Sequence, residues 1–134
     1  MNTRIAMSTE PELAIISWHA HIYYDSATRP RAERVREGIV QRFKVQIGGH
    51  DVPTPPHAKA MVGVAFTVDV FADLVPWLAL HRDGLSVLVH PNTLAPRTDN
   101  SAHALWLGPA LPLRLDALPE SIAASEEPPV VPNT

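Results

Sequence analysis

Cysteine is missing from this chain, which excludes disulfides, thiolate metal sites and a cysteine nucleophile. No apolar run approaches the ~20 residues needed to cross a bilayer. Basic excess is missing too: 11 Lys and Arg face 14 Asp and Glu, for a formal net charge of -3, so there is no electrostatic footprint for nucleic acid. The glycine fingerprints of dinucleotide and phosphate binding are absent, as is a G-x-S-x-G nucleophile turn. The first residues show no charged stretch followed by an apolar run and a small-residue cleavage site, so no signal peptide is expected. The reading is a soluble, cytoplasmic protein with no membrane or nucleic-acid partner.

What is present is a chain of 134 residues, 46% hydrophobic and 19% charged, enough for one domain with a real core. The polar stretch 1–13 is expected to be flexible. The dense prolines of 119–134 (Pro119, Pro128, Pro129, Pro132) suit neither helix nor inner strand and suggest a flexible tail. One domain, 14–118, remains. Its hydrophobic pattern reads β-α-β-β-α-β. Strands are expected at Ile15–Tyr24, Lys44–Ile47, Ala60–Val68 and Leu85–His90, with helices at Pro30–Phe43 and Val70–Arg82. Asp69 is the expected cap of the second helix, and Asp83-Gly84 its stop. A short edge strand follows near Ala104–Leu107. The fold class is α+β, a ferredoxin-like sheet with its helices on one face and an extra edge strand.

Side chains alternate faces along a strand. Trp18, Ala20 and Ile22 then share one face with Val62, Val64, Phe66, Val87 and Val89, the face that meets the helices. His19, His21 and Tyr23 fall on the other, together with Met61, Gly63, Ala65, Leu88 and His90. Gly63 and Ala65 leave room there for a ligand. The bare face with Tyr23, Met61 and Leu88 needs a cover, from loops or from a second subunit, and a homodimer is the default expectation.

Without cysteine, histidine is the main route to a transition metal, and imidazole suits iron, zinc, copper and nickel. His19 and His21 project side by side, and His90 arrives from another strand. These three are the candidate metal ligands. His57, on the proline-rich loop, is the candidate acid/base, with His21 as a second catalytic candidate. A lone H-x-H pair is weak evidence, since strands often carry one with no metal; the convergence of four carries the reading. His50, His81 and His103 weigh less, and His81 suits a helix C-terminus. Two histidines and a carboxylate are the usual non-haem iron set. Asp25, Asp51 and Asp99 are the carboxylate candidates, and an all-histidine site is the alternative. Arg29 and Arg97 are candidates for a substrate carboxylate. Trp77 and Trp106 read as packing residues.

The stretches His19-Ala20-His21-Ile22-Tyr23-Tyr24, Pro55-Pro56-His57, Leu85 to Thr93 (with Val89-His90-Pro91-Asn92-Thr93) and Ala104-Leu105-Trp106-Leu107-Gly108 resemble the DOPA 4,5-dioxygenase family. The resemblance runs from about Trp18 to Leu115. It implies a ferredoxin-like, often dimeric fold. It also implies extradiol cleavage of a catechol-type aromatic by O2 at a non-haem metal, normally iron(II), with zinc or another divalent metal as the alternative. The family's histidine motifs match at His19, His21, His57 and His90. The chain departs from the family's pattern at Val52–Thr54 and Leu94–His103, so a changed substrate preference is expected. The rival from another class is a non-catalytic dimeric module that binds a small ligand on the open face.

Overall fold

A computed structural model describes residues 14–133; the expectations for 1–13 fall outside the described residues. The strands β1 (Ser17–Tyr24), β2 (Gln46–His50), β3 (Ala60–Phe66), β4 (Val87–Asn92) and β5 (Leu105–Leu107) form one sheet in the order β2-β3-β1-β4-β5. All four pairings are antiparallel. The first four strands follow the ferredoxin-like order, and β5 is the added edge. Helices α1 (Arg29–Arg42) and α2 (Phe71–His81) cover one face.

The strand phases place the core where alternation puts it. Ala20 and Ile22 of β1, Val62, Val64 and Phe66 of β3, and Val87 and Val89 of β4 are buried against Ala32, Val35 and Ile39 of α1 and Leu74 and Leu78 of α2. Each large aliphatic side chain so buried contributes roughly 1.5–3 kcal/mol relative to exposure. Trp77 sits between the helices, edge-on to Phe43 at 5.7 Å, and His81 at the end of α2 hydrogen-bonds the Trp77 carbonyl at 2.8 Å.

Several boundaries differ from the sequence reading. β2 was expected to stop before Gly48-Gly49 but continues through both to His50, pairing Gly48 with Gly63 and Gly49 with Val62. Gly49 has φ +128°, and a Cβ there would meet the Met61 carbonyl oxygen at 2.3 Å. Glycine is a strand residue here because the two backbones approach too closely for a side chain. β4 starts and ends two residues later than expected. Pro91 is tolerated because β5 pairs only with Val87–Val89 and leaves that end of β4 open on one side. Asp69 lies inside a 3-10 turn, Val68–Val70, rather than capping α2; its carboxylate is bonded by Thr67 at the turn's start. Asp83 and Gly84, with φ of 52° and 77°, stop α2 as expected.

Part of the helix-free face is covered from within the chain. Ala104, Trp106, Leu111 and Leu113 pack on the buried trio Tyr23, Met61 and Leu88. A second subunit is not needed to cover these three. The proline-rich segment lies along the β2 edge. Val131 N–H donates to Gln46 Oε1 at 2.8 Å, and Asn133 N–H to the Val45 carbonyl at 2.8 Å. Among the described residues, no helix is long and apolar enough to cross a membrane.

Candidate active site on the open face of the sheet

The β1–β4 register sets His19 directly opposite His90, and the β1 pleat sets His21 beside both. The His19 and His90 ring centroids are 5.2 Å apart, those of His21 and His90 5.2 Å with the rings stacked, and those of His19 and His21 5.7 Å. His57 reaches the cluster from the loop between β2 and β3, 4.4 Å from the His21 ring. That loop is pinned by His57 N–H to the Thr54 carbonyl at 2.9 Å and by Arg114 N–H to the Pro56 carbonyl at 2.9 Å. The four site histidines anticipated from sequence therefore meet. His50 is exposed on β2, His81 ends α2 and His103 lies in an exposed turn.

The second ring nitrogens are held by neighbours. His90 Nδ1 lies 2.9 Å from the Pro91 carbonyl. A carbonyl only accepts, so Nδ1 carries the proton and Nε2 is a bare lone pair. His19 Nδ1 lies 3.1 Å from Asn92 Oδ1, and Asn92 Nδ2 donates to Ser17 Oγ at 2.9 Å. His21 Nδ1 faces the Met61 thioether at 3.4 Å. His21 Nε2 and His90 Nε2 face each other at 3.1 Å. On the far side, the Tyr23 hydroxyl lies 2.7 Å from His57 Nδ1, and the Tyr23 ring stacks on Trp106 at 5.9 Å.

Burial keeps these imidazoles neutral. His21 and His90 are only 8% and 5% exposed. Desolvation, then repulsion from His19, pushes the His90 pKa down to about 3. Desolvation followed by repulsion from His90, His57 and His19 holds His21 well below its usual 6.5. Desolvation lowers His19 as well, against the bond to Asn92. His57 falls to about 4, again mainly through burial. Burial also raises the Tyr23 hydroxyl, which therefore stays protonated.

This donor set fits a divalent cation. With His90 protonated at Nδ1, either His21 also carries its proton at Nδ1, and two lone pairs conflict at 3.1 Å, or His21 donates from Nε2 to His90 Nε2 in an ordinary hydrogen bond and leaves its bare Nδ1 beside the Met61 sulfur. An added proton would relieve the conflict, but burial opposes it. A cation accepting both lone pairs relieves it without a proton. Backbone or side-chain acceptors on the distal nitrogen are the usual support of a ligating histidine. Among the described residues, no group of three or more histidine, aspartate or glutamate side chains is placed to hold a metal ion; His21 Nε2 and His90 Nε2 form a pair at 3.1 Å.

The carboxylate candidates do not join the cluster. Asp99 is buried, and its two oxygens accept from Thr93 N–H at 2.8 Å and Thr93 Oγ1–H at 2.5 Å. Asp25 closes the turn into α1 with Thr28, and Asp51 is exposed. Arg97 is likewise committed, donating to the Leu115 and Leu118 carbonyls and to Glu120, while Arg29 pairs with Glu33. Ser17 and Asn92 were missed as site residues. Alternation from Leu88 through His90 reaches Asn92 on the same face, a signal lost once Pro91 is read as the strand's end.

Beside the imidazoles, His19, His21, Met61, Gly63 and Ala65 line a cavity of about 190 Å³ against Gly48 and Gly49. Larger cavities at the α1 side of β2 hold none of the four histidines. The molecule is thus a ferredoxin-like α+β domain with a histidine-centred site on its helix-free face. The sequence profile of the Dopa 4,5-dioxygenase family matches residues 18–117, and the chain belongs to that family. The DOPA 4,5-dioxygenase of Amanita muscaria is 30% identical over 135 aligned residues, taking in 84% of this chain and 58% of its own length. An uncharacterized 21.2 kDa protein of Botryotinia fuckeliana is 33% identical over 113, with 74% and 61% covered. The chain thus spans less than two thirds of either relative. A crystal structure of a candidate dioxygenase from Nostoc punctiforme superposes with a TM-score of 0.75 at 48% identity, covering 76% of this chain and 90% of that one.

Proposed function

We propose that this chain is a metal-dependent extradiol dioxygenase that opens a catechol-type aromatic ring with O2. His19, His21 and His90 would hold the metal, and His57 would handle protons. The observation that carries the reading is the buried pair of Nε2 atoms at 3.1 Å, with His90 held through its other nitrogen by a carbonyl. Family membership supports the reaction class.

Iron(II), when bound, supplies the Lewis-acid and redox chemistry that joins O2 to a catechol. The chain supplies the rest. The cavity over Gly63 and Ala65 admits a flat ring beside the imidazoles. Met61 lines this cavity and belongs to the apolar cluster with Tyr23 and Leu88, which lowers the local dielectric and strengthens polar interactions beside it. His57, held neutral by burial, keeps a bare Nε2 that would take a catechol proton when Nδ1–H turns to the Tyr23 oxygen. The Tyr23 hydroxyl both donates and accepts, so it serves His57 in either tautomer and lets the same ring return the proton.

The test is anaerobic iron(II) reconstitution followed by oxygen uptake with DOPA, caffeate and protocatechuate. The expected result is uptake with a new yellow chromophore. Iron bound without uptake would move the substrate class. Stoichiometric zinc with no oxygen chemistry would point to a hydrolytic or isomerising enzyme, and failure to bind any divalent metal would leave a small-ligand binding module. His90→Ala should bind iron at least tenfold more weakly with an unchanged far-UV spectrum. Unchanged binding would remove His90 from the ligand set.

A further inference from the structure

The chain Ser17–Asn92–His19 lies on the open face where β1 and β4 begin and end together, Ser17 opposite Asn92 in the register. Its members are joined by two side-chain hydrogen bonds. Asn92 is 6% exposed and Ser17 4%. In the orientation present, Nδ2 donates to Ser17 Oγ at 2.9 Å and Oδ1 faces His19 Nδ1 at 3.1 Å; the Ser17 hydroxyl can accept or donate, so the contact that matters is the one to His19. An amide oxygen cannot donate, so His19 must carry its proton on Nδ1, and its Nε2 is a bare lone pair. Ser17 and Asn92 are buried, so water does not substitute for the bond between them.

We propose that Asn92 is a positioning residue that sets the tautomer and ring orientation of His19 through its amide oxygen. The Pro91 carbonyl does the same for His90, but main chain cannot be substituted away; Asn92 is the side-chain counterpart. This rests on the metal reading for its purpose, not for its geometry.

Two measurements separate them. The first is the nitrogen NMR spectrum of the histidine rings in the metal-free chain. His19 should show a protonated Nδ1 and a bare Nε2. Asn92→Leu, close in shape but without an acceptor, should lose that preference; Asn92→Asp, which keeps an acceptor, should retain it. The second is titration with cobalt(II) alone. Asn92→Leu should bind about 10–100-fold more weakly than the parent chain, as expected for loss of a supporting bond to a ligating histidine, and Asn92→Asp should recover most of the loss. A parent chain protonated at His19 Nε2, or an Asn92→Leu chain with unaltered tautomer, overturns the inference. So does an Asn92→Leu chain that binds cobalt as the parent does. If no chain binds cobalt, the proposed function fails, while the NMR result still decides the role of Asn92. If Asn92→Leu does not fold, Asn92→Ala is read instead, with the same loss of the Nδ1–H preference expected at His19.

Discussion

Tyr23 shows most plainly how one residue is shared between packing and chemistry. Its ring lies on Trp106 while its hydroxyl reaches His57 at 2.7 Å. Tyr23→Phe keeps the ring contact and removes the hydroxyl. The expected outcome is a thermal midpoint within a few degrees of the parent, because only one half-buried hydrogen bond of about 1 kcal/mol is lost. Turnover of the iron-loaded chain should fall by roughly ten- to a hundredfold, with a KM changed far less. Equal loss in KM would mean that Tyr23 holds substrate rather than His57. The histidines, by contrast, were legible in the sequence one by one, because strand alternation alone sorts His19, His21 and His90 onto a single face. Asn92, Ser17 and the Tyr23–His57 bond were not, since each depends on a partner 34 or more positions away.

The buried imidazoles also make stability depend on pH. His90 is held at about 3 in the folded chain and His21 well below 6.5, while unfolded histidine titrates near ~6.5. Between those limits the unfolded chain binds more protons than the folded one, so stability rises with pH. The contribution is complete above about pH 7 and is lost as pH falls from there toward about 3. For one fully buried imidazole the loss at about pH 5 is on the order of 2 kcal/mol. Urea midpoints of the metal-free chain near pH 7.5 and near pH 5 (about one-tenth and nearly full protonation of free imidazole) should differ in that direction, and His90→Gln should shrink the difference. A flat profile would contradict the burial argument.

Among elements, β2 is the one whose construction departs most from its composition. Two adjacent glycines read as a stop, yet the strand passes through them because β3 comes so close. A Gly49→Ala chain has to displace the Met61 carbonyl from 2.3 Å at a φ of +128°, so a loss of at least 2 kcal/mol in urea unfolding is expected. Gly63 behaves differently: a Cβ there meets only ordinary contacts, 3.4 Å at nearest. Gly63→Val should fold, yet fill part of the cavity beside His21. Binding of a catechol should weaken by about tenfold or more, with stability within about 1 kcal/mol of the parent. Unchanged catechol binding would place the substrate elsewhere. The helices and the β1, β3 and β4 phases were legible because local period decides them. The β2 extension, the two-residue shift of β4 and the 3-10 entry to α2 were not, because pairing with another strand or turn outweighs local propensity there.

At the scale of the molecule, the covering of exposed sheet was the least legible feature, since it is settled by contacts far apart in sequence. Ala104, Trp106, Leu111 and Leu113 roof Tyr23, Met61 and Leu88 on the open face. The proline-rich segment meets the β2 edge through Val131 and Asn133. An open strand edge invites pairing with another chain, and proline blunts it. Deleting 128–134 should therefore leave the domain folded but raise its apparent mass by light scattering as concentration rises. A deletion chain with the parent's mass at every concentration would show that the segment does not guard this edge.

β1 is the middle strand of the sheet, hydrogen-bonded to β3 on one side and β4 on the other, and it bears both His19 and His21. Its amide protons exchange with solvent only when the whole domain opens, whereas the His57 amide, tied by a single turn bond to Thr54, is released by a local fluctuation. The site thus runs on two clocks. The imidazoles on β1 are placed by the most fully hydrogen-bonded strand of the sheet, and the His57 ring by a loop anchored through Thr54, Arg114 and the Tyr23 hydroxyl, so hydrogen exchange should separate the two.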